Sequence, residues 1–346
     1  MSGKTVKIGN FTLGSGKIAV QSMTTVRTSD VENCVAQILR LEEAGCDIAR
    51  VSVLDEADAQ AIRALKARVR LPIVADIHFS PKLACLAVEA GADKLRINPG
   101  NIGGVREIAR VADCVKAHGI PVRVGANTGS IAPAFLEKYG KSAEALVESA
   151  LENVRLFEGH GVENLVVSVK ASNVRLTVEA YALLAKRTDY PLHLGVTEAG
   201  TKEQGIVKGS IGIGALLLQG IGDTVRVSLT ADPVEEVYAA HAILRAVGLE
   251  KDFVEVISCP TCGRCEYDCM GLAERVAARV RGEKKQRKIA VMGCVVNGPG
   301  EAKDADLGIA GGKEYCIIFE RGRENLRVPV ESAEQVFFAR LEELLK

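Results

Sequence analysis

From Lys17 to about Val247, short runs of apolar, β-branched residues alternate with stretches whose apolar positions recur every three to four residues. The first pattern suits strands buried on both faces, the second amphipathic helices. The strand candidates are Ile18–Gln21, Asp47–Val53, Pro72–Ile77, Lys94–Ile97, Pro121–Val124, Asn164–Val169, Leu192–Val196 and Thr224–Ser228. Helical patterns follow, among them Val31–Ala44, Glu144–Gly159 and Val234–Val247. Eight strand–helix units in about 230 residues match a TIM (β/α)8 barrel, whereas an open doubly wound sheet seldom needs eight in succession. Ahead of them, Val6–Leu13 reads as a hairpin placed to close the bottom of the barrel.

Beyond Gly248-Leu249-Glu250-Lys251-Asp252 the rhythm changes. Phe253–Ile257, Lys288–Met292, Leu307–Ala310, Cys316–Phe319 and Leu326–Val330 read as strands, and Met270–Val280 as a helix. Ser332–Leu345 reads as a closing amphipathic helix with Ser332 as its N-cap. The chain therefore divides into a barrel domain, residues 1–250, and a small α+β domain, residues 251–346. The charge-rich run Arg281–Lys288 fits a solvated turn better than a docking patch for an acidic electron donor.

Charged residues interrupt strands that should be apolar, and they do so in register. Arg50 and Ser52 share one face of the second barrel strand, Asp76 and His78 one face of the third, and Arg96 and Asn98 one face of the fourth. Arg123 and Asn127 follow around the fifth and Arg226 and Ser228 in the eighth, while Lys170 ends the sixth and Glu198 follows the seventh. All of these can converge at the C-terminal mouth, where barrel active sites lie. Single arginines often pair with a buried carboxylate. Four arginines and a lysine facing only Asp76 and Glu198 leave positive charge unanswered. Guanidinium forks match phosphate oxygens, so a phosphate- or diphosphate-bearing substrate is the expected guest.

That local excess is notable because the 346 residues carry zero net charge, which gives no reason to expect nucleic acid or an anionic membrane as partner. Tryptophan is absent and aromatics make up 4% of the chain, so the core must come from Val, Ile, Leu and Ala. The N-terminus lacks the apolar segment of a signal peptide and no run is long enough to span a bilayer. Ten cysteines in a chain of this size do not form a secreted disulfide framework, and a reducing cytoplasm fits best. Cys34, Cys46, Cys85 and Cys114 lie in helix-like or apolar contexts and read as structural. His118, His160 and His241 read as surface or packing residues, and His193 as either packing or site. Gly209-Ser210-Ile211-Gly212-Ile213-Gly214 has the wrong glycine order for a dinucleotide fingerprint and reads as a flexible loop opening a helix.

Chemistry concentrates near the C-terminal end. Cys259-Pro260-Thr261-Cys262 is followed after roughly thirty residues by Cys294, with Glu301 seven residues later. Three thiolates and a carboxylate can hold the corners of an iron–sulfur cube, and an oxygen-held corner exchanges its ligand more easily. Cys259, Cys262, Cys265 and Cys269 also form C-x2-C-x2-C-x3-C, the bacterial ferredoxin spacing, and four thiolates suit zinc equally well. Spacing leaves three readings open: a substrate-reducing cluster, a four-thiolate electron-transfer protein fused to a phosphate-binding barrel, and a zinc-stabilised non-redox barrel.

The segments Cys259-Pro260-Thr261-Cys262-Gly263-Arg264 and Gly293-Cys294-Val295-Val296-Asn297-Gly298-Pro299-Gly300-Glu301 closely resemble those of the (E)-4-hydroxy-3-methylbut-2-enyl diphosphate synthase family. So do the barrel segments Val20-Gln21-Ser22-Met23-Thr24, Leu95-Arg96-Ile97-Asn98-Pro99-Gly100-Asn101, Val122-Arg123-Val124-Gly125-Ala126-Asn127 and Gly220–Ser228. The resemblance is to the compact bacterial form, without the extra middle domain of the plant type. It implies a [4Fe–4S] cluster on Cys259, Cys262, Cys294 and Glu301, while Cys265 and Cys269 fall where the family usually has no cysteine. It also implies reductive opening of 2-C-methyl-D-erythritol 2,4-cyclodiphosphate in the methylerythritol phosphate pathway of isoprenoid biosynthesis, with reduced flavodoxin or ferredoxin as donor. A homodimer is implied too, the cluster domain of one subunit covering the barrel of the other.

On that reading Arg50, Arg96, Asn98, Arg123, Asn127, Lys170, Arg226 and Ser228 hold the diphosphate. Glu198 is the candidate proton donor, with Asp76 and His78 as positioning partners, and Glu301 is the exchangeable corner. Proton donation by Glu198 requires burial to raise its pKa.

Overall fold

The computed structural model describes residues 3–97, 102, 105–295, 300 and 302–346. Two compact units emerge, Met1–Leu249 and Glu250–Lys346. The first opens with the antiparallel hairpin of β1 (Val6–Ile8) and β2 (Phe11–Leu13). Eight parallel strands follow: β3 (Ala19–Met23), β4 (Ile48–Val53), β5 (Ile73–Ile77), β6 (Lys94–Ile97), β7 (Val122–Asn127), β8 (Leu165–Lys170), β9 (His193–Leu194) and β10 (Thr224–Val225).

Each strand from β3 to β8 pairs with the next, and β10 pairs with both β9 and β3. A single bridge, Val167 to Leu192, joins β8 to the start of β9 and closes the ring. The expected barrel is therefore present. Strands β9 and β10 are shorter than the sequence pattern suggests, and Gly195 explains part of this. A Cβ there would lie 2.5 Å from Lys170 Nζ and 2.7 Å from the Arg226 carbonyl, so neighbouring groups close over a bare backbone.

Outward-facing strand residues such as Val51, Ile77, Leu95, Val124 and Val167 pack with the helix faces into the main core. Helix starts are capped as sequence chemistry demands: Asp55, Ser80, Ser142, Asn173 and Asp232 each accept a backbone N–H from the first turn. The hairpin plugs the N-terminal end of the barrel. Val6, Ile8 and Leu13 pack with Ala19, Ile48, Val74 and Val166 from four strands. Hydrophobic burial thus seals the bottom, and the polar interior lies above it.

The glycine-rich run is not a loop. It lies inside the helix Lys202–Leu217, because that helix must approach the barrel closely. A Cβ on Gly205 would come within 2.5 Å of Leu229, and one on Gly212 within 2.6 Å of Val196. Here close packing outweighs the low helix propensity of glycine.

The second unit is a five-stranded mixed sheet in the order β11 (Val254–Ser258), β12 (Arg287–Met292), β13 (Leu307–Ala310), β14 (Tyr315–Glu320), β15 (Leu326–Pro329). The first three strands are parallel and the last two antiparallel to their neighbours. Helices Cys269–Arg279 and Val330–Leu344 pack Leu272, Val276, Phe337 and Leu341 onto the sheet. The last helix starts earlier than expected, with Pro329 at the N-cap. Ser332 lies in its first turn and donates back to the Pro329 carbonyl at 3.3 Å, so it is not the cap.

Candidate active site

Barrel strands place alternate residues inside. The register sets Asp76 beside Ser52 and Arg96, Arg96 beside Arg123, and Asn127 beside Lys170. Arg50, Arg96 and Lys170 are each 8% exposed, Arg123 3% and Asp76 1%. The expected cationic cluster is brought together within one unit.

Asp76 is its anchor. It accepts from Arg50 Nη2, from Arg96 Nη1 at 3.0 Å, and lies 3.2 Å from His78 Nε2. Burial alone would raise its pKa, but the charges of Arg50 and Arg96 and the His78 contact hold the carboxyl well below the usual range. His78 is more open, and its ring reaches toward solvent at the mouth. Arg50 is pushed down to about 10 by burial, partly offset by Asp76.

Arg226 behaves differently from expectation. Its Nε and Nη2 form a fork on Glu236 at 3.1 and 3.2 Å. Glu236, on the helix Pro233–Ala246, is 4% exposed and also accepts from Ser22 Oγ and the Leu229 amide. A second buried carboxylate therefore answers one of the counted cations. The sequence offered one signal for it: an acid beside Val237 and Ala240 on a helix face that turns out to be buried.

Lys94, which carries no signal in the sequence, adds to the buried donors, and His193, open between packing and site, is resolved by its surroundings. Lys94 shares the interior face of β6 with Arg96 and is fully buried. His193, on β9, is fully buried as well. Among the described residues neither Lys94 Nζ nor His193 Nε2 has a hydrogen-bond partner, and the same holds for Arg123 Nε and Nη1, Arg50 Nε and the Gln21 amide. Burial, followed by the charges of Arg123, Lys170, Lys94 and Arg50, drives the His193 pKa well below its ordinary value, so it is a neutral packing group. Burial and neighbouring cations likewise lower Arg123 and Lys170 strongly. Buried donors without acceptors, clustered on one face, make a pocket chemically prepared for an anion.

The remaining expected residues take varied positions. Asn127 ends β7, half-buried, its backbone tied to Ser130. Ser228 is half-buried after β10. Glu198 is exposed, so its own unit does not supply the burial a proton donor there requires. It has a left-handed backbone at φ 52°, a conformation a non-glycine residue adopts at a cost. Asn98 lies outside the described residues.

In the second unit both cysteine motifs leave the sheet at one edge. β11 and β12 are parallel with Ser258 opposite Val291, so Cys259 and Gly293-Cys294 follow adjacent strand ends. The Gly293 N–H donates to Cys259 Sγ at 3.1 Å. Cys259 and Cys294 are half-buried and Cys262 is exposed. Cys265 also lies against Gly293, where an added Cβ would sit 3.1 Å from its sulfur. Cys269 is buried at the start of its helix, and burial pushes its thiol up to about 11. Among the described residues no three such side chains are gathered tightly enough to hold a metal ion. Glu301 lies outside the described residues. The donor set nevertheless fits an iron–sulfur cluster: thiols from two adjacent strand ends, with a backbone N–H already given to one sulfur. Of the four cysteines expected to be structural, Cys34 and Cys46 are buried, and burial raises their thiols to about 11 and about 12. Cys85 and Cys114 are half-buried.

Comparison with known proteins agrees with this division. Residues 3–241 match the family model "GcpE TIM-barrel domain" and residues 255–343 match "GcpE protein C-terminal domain". The 4-hydroxy-3-methylbut-2-en-1-yl diphosphate synthase (flavodoxin) of Caldanaerobacter subterraneus is 54% identical over 99% of this chain and 97% of its own length. That of Desulfotalea psychrophila is 52% identical over 99% and 96%. Among solved structures, a type I 3-dehydroquinate dehydratase from Clostridium difficile aligns with a TM-score of 0.54 at 14% identity, covering 70% of this chain and 97% of that one. A dihydropteroate synthase from Yersinia pestis gives 0.51 at 13%, with the same coverage. These two show a shared barrel fold and nothing more.

Proposed function

The chain belongs to the GcpE family, and we propose that its barrel cation layer is the seat of a cyclic diphosphate substrate. The chain is a 4-hydroxy-3-methylbut-2-en-1-yl diphosphate synthase, an iron–sulfur oxidoreductase of isoprenoid biosynthesis that takes electrons from reduced flavodoxin. Its cofactor is a [4Fe–4S] cluster. Ferredoxin, the other donor the sequence allowed, is not in the names of these two relatives. The reaction opens 2-C-methyl-D-erythritol 2,4-cyclodiphosphate and removes an oxygen, consuming two electrons and releasing water.

One observation carries the assignment of the site: buried guanidinium and lysine N–H donors with no acceptor among the described residues crowd a single barrel face. Arg123 supplies two such N–H groups, and Arg50 supplies one. Arg96 is held in place by Asp76, which orients its remaining donors without neutralising the cluster. Lys170, Asn127 and Ser228 complete the binding set from the ends of their strands. Arg226 is already shared with Glu236 and contributes mainly by position. In a dry pocket these donors hold the diphosphate while it leaves the one carbon that loses the ring bond and stays joined to the product at its other end.

Cys259, Cys262, Cys294 and Glu301 would hold the cluster, which when bound supplies the electrons and a Lewis-acidic iron. Protons must reach the departing oxygen. Glu198 is our candidate donor on position alone, at a strained backbone just after β9. The Asp76–His78 pair fixes its half of the mouth. Glu198→Gln should keep substrate affinity and lose turnover; retained turnover would remove the assignment.

Among the described residues no helix is long and apolar enough to cross a membrane. A cytoplasmic homodimer is our reading from the family resemblance, and sedimentation at a monomer mass would refute the dimer. The function itself is tested by anaerobic purification followed by an assay with reduced flavodoxin. Conversion of the cyclic diphosphate by a brown protein is expected. A colourless, zinc-containing protein without activity would overturn the reading.

A further inference from the structure

Lys94 opens β6 and projects to the same interior face as Arg96. It is 0% exposed, and its Nζ has no hydrogen-bond partner among the described residues. The charges acting directly on it are the guanidiniums of Arg123 on the adjacent β7 and Arg50 on β4, and it acts in turn on the His193 ring on β9. The same interior also carries Arg96 on β6 itself, Asp76 on β5 and Lys170 on β8. Asp76 is the one carboxylate among these, and it is engaged by Arg50, Arg96 and His78. Glu236 is engaged by Arg226.

An ammonium placed there has neither solvent nor a carboxylate of its own, and it is repelled by two guanidiniums. A free amine is the cheaper occupant of such a site. Burial first, then the charges of Arg123 and Arg50, hold the Lys94 pKa well below that of an ordinary lysine. An arriving diphosphate reverses the local field, and the amine can then accept a proton.

We propose that Lys94 is a positioning residue that takes a proton from solvent when an anionic substrate seats on the arginine layer. The inference rests on the reading that the barrel holds the diphosphate. The step is a protonation alone: the amine lone pair binds one solvent proton, and no other bond forms or breaks. In the empty barrel the neutral amine limits repulsion within the layer. In the loaded barrel the ammonium adds one charge to balance the substrate and keeps Arg123 directed at it. Because binding takes up a proton, substrate affinity should fall as pH rises.

The substrate cannot be the source of this effect. Each phosphorus in a cyclic diphosphate carries one strongly acidic hydroxyl, already ionised near neutral pH, so the ligand exchanges no protons there.

The test is calorimetric titration of the cyclic diphosphate into anaerobic holoenzyme, without reductant, in two buffers of different ionisation enthalpy at one pH. The dependence of the heat on the buffer counts protons. Wild type should take up about one proton per substrate by linkage. Lys94→Met should take up close to none, and its affinity should lose most of its pH dependence. Lys94→Arg, which cannot release its proton, should also show no uptake, and it serves if the methionine variant does not fold. Uptake in either variant equal to wild type would assign the proton to another group, such as Lys170, and would overturn the proposal. So would absence of uptake in wild type. Arg123→Ala separates the two levels. If it binds substrate as wild type does, the site reading fails and this inference with it. If it binds weakly while Lys94→Met keeps full uptake, only this inference fails.

Discussion

Arg96 and Arg123 are register partners on adjacent strands, yet Asp76 bonds only Arg96. Two guanidiniums thus share one dry face with a single carboxylate between them, which itself also serves Arg50. Like charges placed opposite each other on a sheet destabilise it. A barrel that retains such a pair is arranged for a guest that brings negative charge.

The unpaired guanidinium should therefore weaken the empty fold. Arg123→Met replaces a buried, incompletely bonded cation by an apolar side chain of comparable length. Denaturation of the substrate-free protein, followed by circular dichroism because the chain has no tryptophan, should show a gain of about 1–4 kcal/mol. A clear loss of stability would mean that Arg123 is already satisfied in the empty barrel.

Asp76 should act in the opposite sense. Removing the carboxylate leaves Arg50 and Arg96 without their shared partner, so Asp76→Asn should lose about 3–5 kcal/mol near neutral pH. The folded pKa of Asp76 is depressed, so its contribution is present above the unfolded value of about 3.9 and is lost as pH falls through the folded value. The gap between wild type and variant should stay level near neutrality and shrink below about pH 4. A gap that grows on acidification would contradict the assignment.

The cysteines should separate into two groups. Iron and acid-labile sulfide should fall sharply in Cys259→Ser, Cys262→Ser and Cys294→Ser. They should stay near wild type in Cys269→Ser, whose thiol is buried, and in Cys265→Ser. Glu301→Cys should keep a full complement of iron. Iron loss in Cys265→Ser as large as in Cys294→Ser would restore the ferredoxin-like ligand set.

Helix Lys202–Leu217 offers a packing test within three residues. A Cβ at position 212 would lie 2.6 Å from Val196 Cγ2, whereas one at 214 meets nothing nearer than Val247 at 3.8 Å. Gly212→Ala should cost about 1–3 kcal/mol through overpacking. Gly214→Ala should gain about 0.5–1 kcal/mol from helix propensity. Equal effects at the two positions would show that close approach is not why glycine stands at 212.

The barrel strands were legible because β-branched runs bounded by glycine and proline announce buried parallel strands. The inward face was legible because charges recur two residues apart. Glu236 escaped notice since it reaches Arg226 from a helix ten residues away, a relationship no local pattern encodes. Lys94 escaped because a lysine at the start of a strand ordinarily points to solvent. Only the plug formed by Val6, Ile8 and Leu13 makes that end of the barrel dry. The glycines at 209 and 212 carry loop character in sequence, and the nearby Val227 and Val196 reveal them as contact positions.

Binding of the cyclic diphosphate itself tests the central claim most directly. Arg123→Ala, compared with wild type and with the exposed control Arg175→Ala, should lose about 1.5–3 kcal/mol of affinity for a charge-assisted contact, roughly 10- to 100-fold. The control should bind as wild type does, and iron content should be the same in all three proteins. Equal affinity of Arg123→Ala and wild type would contradict the account, because the diphosphate would then sit elsewhere.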